Sequence, residues 1–225
     1  GRENVLFKPN WNQALARWQA FWEGNLLDRP PVIVQIVPTR ECDVGTPPSM
    51  EYTLAWYDPA RNIPLVEKAE QSLAERALLE DDTPPALTAG GGVYFVGAVF
   101  GSPITVTADM MDAEPILNDW RQLDTLRYDP QNPWAQRALN LARQLVARSA
   151  GRYAVIPGLL EGPSDICGAL RDITRLAGDL YEYPDQVRRL TEIAMDAWTS
   201  YAKAMLDIVP RYDGGTETQW SLWAP

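Results

Sequence analysis

Apolar and polar positions along the chain follow two periods, one helical and one strand-like, and the order in which the two alternate carries most of the fold information. Trp11, Leu15, Trp18 and Trp22 recur at helical spacing behind Asn10 as an N-cap and ahead of Gly24 as a stop, which predicts an amphipathic helix with a tryptophan packing face. After Pro30 and Pro31 comes a β-branched run at 32–37, read as a first strand. A helix over 64–79 follows, with Leu65, Ala69, Leu73, Ala77 and Leu78 on a common side and Pro84-Pro85 closing it. Residues 86–89 are predicted as a short second strand, 93–100 as either helix or strand, and 104–107 as a strand or an extended excursion. Asn132-Pro133 opens a helix striped by Trp134, Ala138, Leu141 and Leu145, which stops at Gly151. A third strand starts at Tyr153, and Ser164 or Asp165 caps a helix reaching about Tyr181. Pro184 opens a longer helix with Val187, Leu190, Ala194, Trp198, Tyr201, Met205 and Ile208 on its core face, ended by Pro210. Residues 213–223 begin a fourth strand or strand-edge loop.

Strands alternating with long helices indicate an α/β fold with a parallel sheet, and nothing in the pattern suggests an internal repeat or a linker. The 225 residues therefore read as one domain, 1–225. A parallel strand needs neighbours, and eight strand-helix units close a barrel in roughly 250 residues or more. About four units are visible, so the expectation is a (β/α)8 TIM-barrel type fold of which this chain carries the first half. The stretch 153–225, a strand, a turn, helices and a second strand-like run, is its most informative piece.

An apolar fraction of 46% with charges of both signs makes the chain globular. Its net charge of −10 offers no clustered basic surface for phosphates, which argues against a nucleic-acid partner. No apolar run reaches the length of a membrane span, and the start lacks a signal-peptide pattern, so a cytoplasmic location with no membrane partner is expected. Cys42 and Cys167 read as free thiols of a reducing compartment. The chain contains no histidine, which removes Ser-His-Asp and Cys-His catalysis within these residues. Chemistry here must use Asp, Glu, Arg, Tyr, backbone groups or a bound cofactor.

In a β/α barrel, functional residues come from the carboxyl ends of strands and the loops after them. That rule selects Arg40 and Glu41 after the first strand, Gly91 within the Gly90–Gly92 turn after the second, Glu161 and Asp165 after the third, and Asp213, Glu217 and Trp220 around the fourth. Glu161, Asp213 and Glu217 are the catalytic candidates; Arg40, Gly91, Asp165 and Trp220 are the substrate-binding ones. Carboxylates converging on one rim with Arg40 could hold a cation or a polar ligand, and a buried one could donate a proton near neutral pH. The glycine cluster matches neither a dinucleotide nor a phosphate-loop fingerprint.

Trp22-Glu-Gly, Asp28-Arg-Pro-Pro31 before a β-branched strand, the block from Arg152 to Pro163, Ala169-Leu-Arg171 and Tyr183-Pro-Asp-Gln-Val187 together resemble the uroporphyrinogen decarboxylase-like superfamily. The resemblance implies a (β/α)8 barrel and an enzyme working on a tetrapyrrole or related anionic small molecule without a cofactor. In the decarboxylase an aspartate meets the pyrrole nitrogens and arginines meet the carboxylates. Here Arg40 is the only arginine of the loop after the first strand, 86–92 holds no aspartate, and Ala169 stands where a tyrosine is expected. The alternative within the superfamily is a corrinoid-dependent methyltransferase, which implies a corrinoid protein as partner and zinc or corrinoid as cofactor, with no metal ligand assigned in these residues. Outside it stand a glycosidase-type barrel with Glu161 and Glu217 as the acid and base, and a non-catalytic half-barrel that pairs with another half, for example as a homo-oligomer.

Overall fold

The computed structural model describes residues 7–34, 49–90, 92–107, 110–158, 160–218 and 221–225. The elements run α1 (Trp11–Trp22), α2 (Met50–Tyr57), α3 (Ile63–Arg76), β1 (Ala86–Ala89), α4 (Val93–Ala98), β2 (Ile104–Val106), β3 (Met111–Ala113), α5 (Pro133–Ser149), β4 (Ala154–Pro157), α6 (Pro163–Arg171), α7 (Ile173–Glu182), α8 (Pro184–Leu206), β5 (Thr216–Glu217) and β6 (Trp223–Ala224). The architecture is mixed helix and strand around a small parallel pair. β1 lies parallel to β4, with Ala86 opposite Ala154 and Ala89 opposite Pro157.

Side-chain alternation gives that pair two different faces. Leu87, Ala89 and Val155 join the main core with α4, α5, α6 and α8. Ala154 and Ala86 turn the other way, into a smaller cluster built by Trp11, Trp18, Tyr212 and Trp223. Of the tryptophan face predicted for α1, Trp11 and Trp18 thus close the amino-terminal end of the strands, whereas Trp22 is 46% exposed. The indoles also hydrogen-bond: Trp11 Nε1 donates to the Asp213 carboxylate at 2.7 Å, Trp18 Nε1 to the Asp82 carbonyl at 2.7 Å and Trp22 Nε1 to the Trp223 carbonyl at 2.6 Å. At the carboxyl end of the same face Thr88 is exposed.

Local signals account for most helix ends. The Asn132 side chain accepts from the N–H groups of Trp134 and Ala135, and α5 stops where Ala150 turns left-handed before Gly151. Residues 93–100, ambiguous by period, fold as the short helix α4, and 104–107 becomes one arm of the antiparallel β2–β3 hairpin.

Several expectations are corrected. The strand predicted at 32–37 forms no ladder over its described residues, 32–34; instead the N–H groups of Val32 and Val34 donate to the carboxylates of Asp82 and Asp81 at 2.8 and 3.0 Å. Side-chain acceptors stand where a neighbouring strand would have supplied carbonyls. The remainder of that run lies outside the described residues, as do Arg40, Glu41 and Cys42. On α3 the buried residue is Val66, while Leu78, assigned to the apolar side, is 86% exposed beyond the helix end. The helix from Ser164 to about Tyr181 is two helices, broken at Asp172 (φ 79°), whose side chain caps α7 by accepting from Thr174 and Arg175 N–H at 3.0 Å each. Gly162 occupies the N-cap of α6, so Asp165 sits in its first turn. The fourth strand is two short ones, β5 and β6, paired antiparallel with Glu217 opposite Trp223. β5 lies alongside β4, yet the only parallel ladder among the described residues is β1–β4. No helix among the described residues is long and apolar enough to cross a membrane.

Candidate functional site

The cavity at the carboxyl end of β1 is assembled by α2, which the sequence reading passes over. Ser49 caps this helix by accepting from Tyr52 N–H at 3.0 Å. Tyr52 and Trp56 then fall on one helical row, and Thr53 and Tyr57 on the row beside it. Both rows face the end of β1. There they enclose about 340 Å³ together with Thr88, Gly90 and Tyr94.

Two of these rings, Tyr57 and Tyr94, are held from behind. Tyr57 stacks on Phe95 at 6.5 Å between centroids and meets Trp134 edge-on at 5.9 Å; Tyr94 meets Trp134 edge-on at 5.7 Å. Thr53 Oγ1 donates to Met111 Sδ at 3.2 Å, tying the β2–β3 hairpin to α2. Burial, and then the hydrogen bond shared with Tyr57, push the Tyr94 phenol well above its ordinary value, so it stays protonated.

Glycine makes this close packing feasible. A Cβ on Gly90, whose φ is +95°, would lie 2.8 Å from the Tyr57 hydroxyl. One on Gly158, just after β4, would lie 2.4 Å from the Ala89 carbonyl oxygen, so the loops after β1 and β4 touch through bare backbone. The close approaches at Gly90 and Gly158 are therefore made by the protein's own Tyr57 ring and by the neighbouring loop. Gly91 itself lies outside the described residues.

The other residues selected from the sequence are distributed as follows. Glu161 and Asp165 are exposed in the β4–α6 loop and the first turn of α6. Asp213 occupies a left-handed turn (φ 47°) and is engaged by the Trp11 indole. Glu217 is 2% exposed, and its Oε2 has no hydrogen-bond partner; desolvation raises its pKa well above the ordinary glutamate value. Arg40 and Trp220 lie outside the described residues. Among the described residues no group of three metal-ligating side chains gathers, so the expected convergence of carboxylates around a cation is not formed by Glu161, Asp165, Asp213 and Glu217.

A set of charges that sequence reasoning missed lies at the opposite end of β1. Asp81 and Asp82 are buried, and both are fully engaged. Asp81 accepts from Lys8 Nζ and Arg76 Nη2 at 2.5 Å each and from Thr83 Oγ1 at 2.5 Å. Asp82 accepts from Arg17 Nη1 at 2.9 Å and from Arg29. Burial works to raise both pKa values, but the donated hydrogen bonds and cations outweigh it and hold both carboxyls below the usual range. This network ties the segment before β1 to residues 8–34. Its only sequence signal is an acidic run, Glu80-Asp81-Asp82, ahead of two prolines.

No family model and no curated protein matches the chain. Among solved structures it is similar to a methyltransferase from Methanosarcina mazei, at 18% identity and a TM-score of 0.55, over 91% of this chain. The match spans 57% of that protein's length. At such identity the likeness is one of fold.

Proposed function

We propose that this chain forms the first β/α units of a (β/α)8-type barrel of the uroporphyrinogen decarboxylase-like superfamily, and that the barrel works as a methyltransferase with a corrinoid protein as partner. The observation that carries this reading is the composition of the cavity at the end of β1: tyrosine and tryptophan rings and two threonines, with no charged side chain among the described residues. A tetrapyrrole presents several carboxylates and needs cations to meet them, which this lining does not supply. A methyl-bearing group needs an apolar, shape-matched pocket that excludes water and holds the carbon in line for transfer. The likeness of fold to a methyltransferase supports this choice, while the resemblance of the sequence blocks to the superfamily covers both activities.

In this reading Tyr52, Trp56 and Tyr57 grip the methyl-bearing group, Tyr94 keeps its proton and holds Tyr57 in position, and Thr88 offers a hydroxyl at the strand end. Glu161 and Asp165 stand on the neighbouring loop, where they meet the polar part of the substrate or the partner's surface. Glu217, whose burial raises its pKa well above the ordinary glutamate value, is the acid best suited to hold a proton away from water. The described residues do not fit a zinc site, and no step is assigned to a metal. The methyl group would be exchanged with the partner's corrinoid, which acts as the second substrate.

The test is methyl exchange between methylcobalamin and thiol or amine acceptors by the full-length protein, followed by the corrinoid absorption spectrum. Transfer that falls at least tenfold in Tyr52→Leu and Trp56→Leu is the expected result. Carbon dioxide release from a tetrapyrrole, with no methyl exchange, would return the decarboxylase reading.

A further inference from the structure

We infer that the cavity at the carboxyl end of β1 is a binding site for a fully methylated ammonium group. The inference rests on the proposed function only in placing this ligand at the reacting end of the barrel; the site itself is argued from its lining.

Tyr52, Trp56, Tyr57 and Tyr94 supply four aromatic rings around one concavity. The negative face of such rings attracts a cation, and tryptophan does so most strongly. A primary ammonium would arrive with three N–H groups that are best met by a carboxylate, and among the described residues only hydroxyls and rings, with no carboxylate, line this cavity. A quaternary ammonium has no N–H to satisfy. Its charge is spread over methyl groups that pack on rings, so an uncharged aromatic lining is sufficient for it. Anions are disfavoured by the same lining and by a net charge of −10, which raises the local concentration of cations around the molecule.

The rings also differ in their support. Tyr57 and Tyr94 are 4% and 8% exposed and are braced by Phe95 and Trp134, so they form a fixed floor. Tyr52 is 45% exposed on the first turn of α2 and forms the outer wall. A small head group can enter past Tyr52 while its substituent stays in solvent. The volume of about 340 Å³ suits such a head group and lies at the low end for ligand sites.

The experiment measures binding of choline and tetramethylammonium to the full chain by calorimetry, at constant ionic strength, against 3,3-dimethylbutan-1-ol, the uncharged isostere of choline. Saturable binding of both cations, with the isostere at least about threefold weaker, is the expected result. Tyr52→Leu should weaken choline binding about three- to tenfold, whereas Tyr52→Phe, which keeps the ring, should bind as the parent does. Tyr52 is exposed, so these variants test the site without disturbing the core that Trp56 helps to build. Equal binding of the isostere, an unchanged affinity in Tyr52→Leu, or no saturable cation binding would each overturn the inference. The two readings separate in the methyl-exchange assay. Exchange without choline binding removes only the ammonium assignment, and choline binding without exchange removes only the methyltransferase reading.

Discussion

At the scale of single residues, two kinds of buried carboxyl set the pH response of this protein. Asp82 is ionised and held by Arg17, Arg29 and the Val32 N–H. Removing its charge leaves Arg17, itself 6% exposed, with one partner fewer, so Asp82→Asn should lower stability by about 3 kcal/mol in urea unfolding. Because the folded pKa values of Asp81 and Asp82 lie below the unfolded one, near 3.9, their contribution is complete above that pH and is lost as acid protonates them. Glu217 acts in the opposite sense. Its folded pKa is raised, so its contribution is complete below about pH 4.3 and falls as pH climbs toward the folded value. The urea midpoint of Glu217→Gln should therefore decline less between pH 5 and 8 than that of the parent. Parallel pH profiles would show that Glu217 is solvated or paired in solution. Glu217 was legible as a candidate because it falls around the predicted fourth strand; its burial was not, since burial depends on Trp223 folding back opposite it.

At the scale of elements, the helices were readable wherever a cap and a stripe coincide. Asn132 with Pro133, and Pro184 with its long apolar face, are local signals that the tertiary structure leaves intact. The break between α6 and α7 was not readable, because Asp172 breaks the helix by adopting positive φ, and the apolar stripe runs past it on both sides. Asp172→Ala should cost about 1 to 2 kcal/mol in chemical denaturation through loss of the α7 cap, while Asp172→Asn, which can still accept from Thr174 and Arg175, should stay close to the parent. An equal loss in both variants would mean that charge, and not capping, is what Asp172 supplies. α2 was missed for a different reason. Its eight residues are apolar on several sides, with no single stripe, because both rows line the cavity and Tyr57 also packs on Phe95 and Trp134. A segment that serves both a core and a site loses the simple period on which sequence reading depends.

At the scale of the whole molecule, α1 joins the two ends of the chain to the sheet. Trp11 packs against Tyr212 at 5.6 Å between centroids and donates to Asp213, while Lys8, Arg17 and Trp18 attach the same region to 81–82. Trp11→Ala should cost about 3 to 5 kcal/mol, with one cooperative transition retained by circular dichroism and tryptophan fluorescence. An early, separate loss of α1 would mean that the smaller cluster is not coupled to the main core. The sequence by itself determined the order and type of most elements, the parallel character of β1 and β4 and the packing role of the α1 tryptophans, because periodicity, caps and prolines act over a few residues. Only the tertiary structure decided which residues share a site. It left 32–34 without a ladder, buried Glu217, put the acidic pair Asp81–Asp82 to structural use, and gathered Tyr52, Trp56, Tyr57 and Tyr94 at the end of β1. The physical reason is that burial, pairing of charges and the enclosure of a cavity depend on contacts between segments far apart in the chain, which no local pattern encodes.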